Sequence, residues 1–304
     1  MGQLEDMALL TRIVEAGGIG KAAEQLNLAK SAVSRRLTEL EKQLGTQLLS
    51  RTTRKSNLTD AGLLYYQKAL TILNDVAELN AHTRGIKTAI EGTLKMTAPL
   101  SFGLLHLTPI IDEFSKKYPN LNIHIDFSDR HIDLIEEGYE LAIRVADLKD
   151  SSLKAKRITP IQHMLCASPD YLLHHGMPTS LAELSQHQFL LYGQASINKL
   201  LINDPQGKPH SLHLTPKIKA NNGDFLIAMA IKGQGIVFSP TFISYQAIAT
   251  GQLVQVLADH SFPPIYAYAV YPQTRFLSQR CRLLIDFIVQ RLGDEPYWDK
   301  SLII

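Results

Sequence analysis

Between residues 20 and 45 the apolar positions fall on two helical stripes separated by one short turn. Ala22, Ala23 and Leu26 occupy i, i+1 and i+4, a face of small side chains against which a second helix crosses closely. Asn27 then ends the stripe, because Asn tolerates the left-handed backbone that a three- or four-residue helix-turn-helix connection needs. Val33, Leu37, Leu40 and Leu44 follow at i, i+4, i+7 and i+11 and predict a second helix whose apolar face turns inward. Its other face carries Ser31, Ser34, Arg35, Thr38 and Lys42, with Ser31, Ser34 and Arg35 in the first turn or so, where a recognition helix meets base edges. An amphipathic segment from Asp6 to Ala16 precedes both.

Beyond this pair, RTTRKSNLTD is rich in basic and turn-forming residues and is bracketed by Leu48, Leu49 and Leu58, which predicts a short two-stranded wing. Arg51, Thr52 and Arg54 on it are candidates for phosphate or minor-groove contacts. Thr59-Asp60 offers a helix cap, and from Ala61 to about Lys87 no Pro interrupts one long helix. Along it Tyr65, Ala69, Ile72, Val76, Leu79, Thr83 and Ile86 alternate spacings of four and three, the seam of a two-stranded coiled coil. A second stripe, Leu63, Tyr66, Leu70, Leu73 and Ala77, widens the apolar face, and dimerisation would cover it.

The remaining two-thirds changes period. Strands are predicted at 92–99, 121–129 and 139–146 with helices over 103–118 and 131–138 between them, a β-α-β-α-β order that makes a sheet covered by helices. A second set begins with a strand over 156–167 and short helices near 169–175 and 179–185. It continues through strands at 188–193, 211–219, 235–239 and 253–257, with helices at 222–232 and after 239. The strand 265–272 leads into a terminal helix from about 277 to 292.

Composition narrows the function. The chain of 304 residues has room for two or three domains, and 45% hydrophobic content is ample for globular cores. Net charge is only +2, yet Lys30 to Lys55 hold seven basic residues (Lys30, Arg35, Arg36, Lys42, Arg51, Arg54 and Lys55) against Glu39 and Glu41. Positive charge this local points to a polyanion bound at one end of the molecule. Glu5, Asp6 and Arg12 interrupt any signal-peptide core, and no apolar run reaches the roughly 18 residues of a spanning helix, so a cytoplasmic location is expected and no membrane partner. Cys166 and Cys281 have no zinc-ligand spacing and read as buried thiols. The pairs His174-His175 and His210 with His213 lack ligating companions, so no metal and no cofactor is expected. Phosphate-loop, nucleophile-elbow and HExxH motifs are absent, which argues against an enzyme. A solute-binding protein with a basic appendage would need an export signal.

The succession of the Asp6–Ala16 helix, GKAAEQLNL, SAVSRRLTELEKQLG and LLSRTTRKSNLTDAG resembles the winged helix-turn-helix of the LysR-type transcriptional regulators over about the first 90 residues. The resemblance implies an all-α winged helix-turn-helix over 1–60 and a linker and dimerisation helix over 61–90. It further implies a periplasmic-binding-protein-like α/β effector domain over 91–304. That domain would comprise two Rossmann-like subdomains, I about 91–162 with 268–304 and II about 163–267. It also implies a sequence-specific regulator that binds double-stranded DNA at an inverted repeat, assembles as a dimer or tetramer, meets RNA polymerase and answers to a small organic effector. Two departures stand out: Ala29 replaces the usual Ser or Thr ahead of the third helix and cannot cap it, and Lys30 replaces a residue that is commonly polar. In such a fold the effector sits between the subdomains at strand ends and helix N-termini, where an anion is favoured. Ser101, with Leu100 and Phe102, falls in the family's effector loop. Arg144 either meets a ligand carboxylate or pairs internally, Asn222 opens a helix toward the cleft, and Gly235 belongs to a close-approach loop.

Overall fold

A computed structural model describes residues 2–52, 55–83, 90–130, 132–146, 153–193, 199–272 and 277–300. The chain forms two compact units, Met1–Gly92 and Thr93–Ile304.

In the first unit α1 (Gln3–Glu15), α2 (Ile19–Gln25) and α3 (Lys30–Leu44) are followed by β1 (Leu49–Thr52), β2 (Lys55–Leu58) and α4 (Asp60–Thr83). Leu10, Ile13, Ala22, Ala23, Val33, Leu37 and Leu40 make its core, as their spacing predicts. Asn27 takes the left-handed conformation (φ 55°) between α2 and α3. The Ala29 cap has no side-chain oxygen to accept from the first amides of α3, whereas Gly45 closes the helix in the left-handed region (φ 70°). Glu41 then sets where the wing begins: its buried carboxylate accepts from the amides of Leu48 (2.8 Å) and Leu49 (3.1 Å). Thr59 Oγ1 caps α4 by accepting from Gly62 N at 2.9 Å, and any Cβ on Gly62 would run into the Leu48 carbonyl.

Two expectations change here. Leu44, in the last turn of α3, is 39% exposed rather than buried. Tyr65 and Ala69, expected in the dimer seam, instead pack inside the unit. Tyr65 leans on the core described above, and Ala69 is 1% exposed where α4 crosses α1. Among the described side chains, the large apolar residues that α4 leaves outward are Leu63, Leu64, Ile72 and Leu79, with Val76 half-buried. Thr83 closes α4, and Ile86 lies outside the described residues.

The second unit holds two mixed five-stranded sheets. Subdomain I is ordered β4-β3-β5-β14-β6, from β3 (Gly92–Ala98), β4 (Leu121–Phe127), β5 (Leu141–Ala146), β6 (Leu153–Ile161) and β14 (Ile265–Pro272). Subdomain II is ordered β11-β8-β12-β7-β13, from β7 (His163–Ala167), β8 (Phe189–Tyr192), β11 (Pro216–Ala220), β12 (Ile236–Pro240) and β13 (Val254–Val256). The helices α5 (Leu100–Phe102) and α6 (Thr108–Lys117) enclose a π-helical turn, Gly103–Leu107, and α11 (Gln279–Leu292) packs on α6 and β6. Subdomain II carries α7 (Pro169–His175), α8 (Leu181–Leu184), α9 (Gly223–Ile231) and α10 (Thr241–Ala249). A short α12 (Tyr297–Lys300) returns to α10.

The strand expected over 156–167 is really two strands. The chain leaves one sheet at Gln162 and enters the other, and the Gln162 carbonyl accepts from Thr241 N at 2.9 Å. The helix expected at 131–138 is absent among the described residues: Asp133 Oδ1 accepts from Ile135 N and Glu136 N, and Gly138 (φ 73°) diverts the chain after one turn. One predicted strand over 211–219 resolves into β10 (Pro209–His213) and β11, and β10 pairs with the unforeseen β9 (Lys199–Asn203). The return to subdomain I begins at Ile265 rather than 268.

Candidate DNA face and effector cavity

On α3 the side chains of Lys30, Ser31 and Arg35 are exposed and Ser34 is half-buried; Ser31 and Arg35 lie on the side away from Val33, Leu37 and Leu40, and Lys30 opens the helix. Thr38 Oγ1 donates to the Ser34 carbonyl at 3.0 Å. Arg36 departs from the expected face. Its Nη2 lies 2.9 Å from Asp6 Oδ1 and 3.7 Å from Glu5 Oε2 on α1, and the side chain is only 19% exposed. The reason is angular: one residue on from Arg35 is 100° further round the helix, which carries Arg36 from the open side toward α1. The side chains of Arg51 and Thr52, and Arg54 altogether, lie outside the described residues.

In the second unit a cavity of about 450 Å³ opens between the two sheets. Ser101, Phe102, Asp129 and Arg144 face it from subdomain I, and Tyr192, Lys199, Lys219 and Phe238 from subdomain II. Two hydrogen-bonded contacts cross it. Ser101 Oγ donates to Asp224 Oδ2 at 2.5 Å, and the Asp129 carboxylate accepts from the Tyr192 hydroxyl and from the Leu100 amide. Ser101, the hydroxyl expected to hold a ligand's anion, is therefore engaged by the chain's own Asp224. Burial raises the Asp129 pKa; the Leu100 amide, Arg144 and Tyr192 oppose that rise, and neighbouring Asp224 adds to it. Burial, and after it the Asp129 carboxylate, push the Tyr192 hydroxyl up to about 12.

Arg144 belongs wholly to neither of its two alternatives. Nη1 donates to the Ser128 carbonyl at 3.2 Å, its strongest charged influence is Asp129, and Nη2 is buried with no hydrogen-bond partner among the described residues. Burial lowers its pKa from the ordinary guanidinium value. His163 is stacked on Phe238 (4.7 Å) in the cavity wall, and burial alone lowers its pKa to about 4, so it is neutral.

Three expected effector residues do not line the cavity. Leu100 contributes its backbone amide to Asp129 rather than a side chain. Asn222 caps α9, its Oδ1 accepting from Phe225 N at 2.8 Å. Gly235 (φ 152°) is needed because a Cβ would stand 2.5 Å from the Gln188 carbonyl, a demand of sheet packing. The residues missed in their place, Asp129, Tyr192, Lys199 and Lys219, come from strand ends far apart in the chain. Only the position of Asp129 just after β4 offered any signal.

Behind the cavity, Phe102 and Phe242 meet edge-on at 5.2 Å and the chain's single tryptophan, Trp298, stands 6.1 and 6.3 Å from them. His106 ties this wall together. Its Nε2 is 2.9 Å from the Phe242 carbonyl, which can only accept, so Nε2 bears the hydrogen and Nδ1 accepts from the Tyr297 hydroxyl at 2.7 Å. Burial outweighs the carbonyl and lowers the His106 pKa to about 4. Cys166 and Cys281 are buried in different subdomains, and burial pushes both thiols up to about 12, where little reactive thiolate remains. Among the described residues no three His, Cys, Asp or Glu side chains gather as metal ligands, and no helix is long and apolar enough to cross a membrane.

Comparison with known proteins places these two sites in context. Residues 4–63 match the family model of the bacterial regulatory helix-turn-helix proteins of the lysR family, and residues 87–293 match that of the LysR substrate binding domain. The chain is 34% identical over 292 residues to the HTH-type transcriptional regulator CrgA of Neisseria meningitidis serogroup B, covering 95% of this chain and 97% of that one. It is 31% identical over 300 residues to the HTH-type transcriptional activator TtdR of Escherichia coli K12, covering 96% of each. The solved structure of CrgA superposes with a TM-score of 0.62, covering 95% of this chain and 99% of that one. Full-length AphB of Vibrio cholerae, 29% identical, superposes with a TM-score of 0.59 at the same coverage.

Proposed function

Because the chain belongs to the LysR-type family of DNA-binding transcriptional regulators, with a helix-turn-helix and a C-terminal effector-binding domain, we propose that it is a cytoplasmic homo-oligomer, not an enzyme, whose paired α3 helices read an inverted repeat. Lys30, Ser31, Ser34 and Arg35 are the base-reading candidates and the wing residues Arg51, Thr52 and Arg54 the phosphate candidates. Ile72, Val76 and Leu79 form the linker seam, without Tyr65 and Ala69. RNA polymerase is a partner once the regulator is bound at a promoter.

The effector is a small, largely apolar molecule with an acidic group, held in the cavity between the subdomains. Arg144, Lys199 and Lys219 outnumber Asp129 among the charged side chains of the wall, which favours an anion. To enter fully it competes with the Ser101–Asp224 and Asp129–Tyr192 contacts, and it acts by favouring one arrangement of the winged domains over another, which requires that it bind the two states unequally.

One observation carries the DNA-binding reading: Lys30, Ser31 and Arg35 stand exposed together on a helix whose inner face is locked into the core. The experiment compares Arg35→Ala with the unaltered protein on a duplex selected from a random pool and on a random duplex, at fixed salt. Discrimination should fall by the equivalent of about 1–3 kcal/mol. An equal loss on both duplexes would reduce Arg35 to a phosphate contact.

A further inference from the structure

The ion pair between Asp6 and Arg36 joins two helices with different tasks. Asp6 lies in the first turn of α1, Arg36 lies in the middle of α3, and both side chains are 19% exposed. Glu5 adds a second carboxylate at 3.7 Å from the same Nη2. Asp6 also faces α4, since its charge, after burial, is what holds the Tyr65 hydroxyl above its ordinary pKa. One carboxylate thus stands where α1, the recognition helix and the linker helix meet.

Beside this ion pair, Leu10 and Ile13 of α1 share one apolar cluster with Val33, Leu37 and Leu40 of α3. Apolar contact is non-directional and tolerates a small rotation of α3 about its own axis. A hydrogen bond between a guanidinium N–H and a carboxylate oxygen does not, because it weakens steeply as its angle departs from linear. Arg35 sits 100° from Arg36 on the same helix, so whatever fixes the azimuth of one fixes that of the other. We propose that Asp6 and Arg36 are positioning residues for sequence readout: the pair sets the rotation of α3 that aims Arg35, Ser31 and Ser34 at base edges, and Arg36 does not contact DNA. This rests on α3 being the recognition helix.

Charge makes the test sharp, because positioning and simple electrostatics predict opposite signs. Asp6→Asn removes a negative charge close to a polyanion-binding face. If charge alone mattered, binding would tighten on every duplex. If the carboxylate aims the helix, binding to a duplex selected by the unaltered protein from a random pool weakens about tenfold. Affinity for a random duplex of the same length then holds or rises.

The measurement is the affinity of the full chain for both duplexes across a salt series, for Asp6→Asn, Arg36→Met and the exchange Asp6→Arg with Arg36→Asp. Thermal unfolding of each variant separates loss of aim from loss of fold. The expected result is reduced discrimination in both single variants, a salt slope unchanged from the unaltered protein, and recovery of discrimination in the exchange variant. The proposal is overturned if Arg36→Met lowers the salt slope by about 0.9, the signature of one lost phosphate contact, or if Asp6→Asn leaves discrimination unchanged. Should Arg35→Ala also leave discrimination unchanged, the recognition-helix reading fails rather than the positioning argument alone.

Discussion

Replacing Glu41 by Ala tests how the wing is held. One carboxylate oxygen accepts two amide hydrogens, from Leu48 at 2.8 Å and Leu49 at 3.1 Å. Glu41 is 8% exposed, and the two leucines are 1% and 4% exposed, so water does not readily take its place. An unsatisfied buried donor costs about 1–3 kcal/mol, and two of them together about 2–5 kcal/mol once partial rehydration is allowed for. Glu41→Gln keeps an acceptor oxygen but not its charge; since charge-assisted hydrogen bonds are roughly twice as strong as neutral ones, about half of that loss is expected. The assay is hydrogen exchange at the Leu48 and Leu49 amides, read beside denaturant unfolding of the first unit. Glu41→Ala should accelerate both amides by about 30- to 5,000-fold, the equivalent of that loss, and loosen the wing, whereas Glu41→Gln should fall between it and the unaltered chain. Protection within about 0.5 kcal/mol of the unaltered protein in Glu41→Ala would mean the carboxylate does not anchor the wing.

Two more outcomes follow from the same structure. Ile72→Glu with Leu79→Glu, at positions 38% and 66% exposed, should give monomers by light scattering with little change in the thermal stability of the first unit. Ala69→Glu should instead unfold that unit, and an unchanged mass in the double variant would exclude α4 as the seam. For His106, a pKa of about 4 in the fold against an unfolded value near 6.5 means the unfolded chain binds more protons between those limits. Stability of the second unit should therefore rise with pH from 4 to 6.5 and be lost on acidification, by at most about 3 kcal/mol for this residue. His163 adds a slope of the same sign. His106→Gln should reduce the slope by one proton, and an unaltered Tm–pH curve would refute the assignment.

Much of the DNA-binding half is legible along the chain because its signals are local. The spacing of Ala22, Ala23, Leu26, Val33, Leu37 and Leu40, and Asn27 between them, specify two helices and their turn within 20 residues. The linker's helical period is legible, but the inward placement of Tyr65 and Ala69 is not. An apolar stripe shows that a face is covered but not by what, and α1 covers Tyr65 and Ala69. At residues 131–138 the periodicity suggested a helix, and the Asp133 side chain competed successfully for the backbone amides.

The effector half divides along the same line. Strand and helix order, and Ser101 and Phe102 in the cavity wall, follow from periodicity and motif resemblance, both properties of neighbouring residues. The encounter of Ser101 with Asp224, of Asp129 with Tyr192, and of Arg36 with Asp6 spans 123, 63 and 30 positions, and no spacing rule links such partners. Short-range pattern constrains backbone conformation because side chains act first on their own turn or strand. Which charges meet depends on how whole elements pack, and that is decided when the apolar faces find each other in three dimensions.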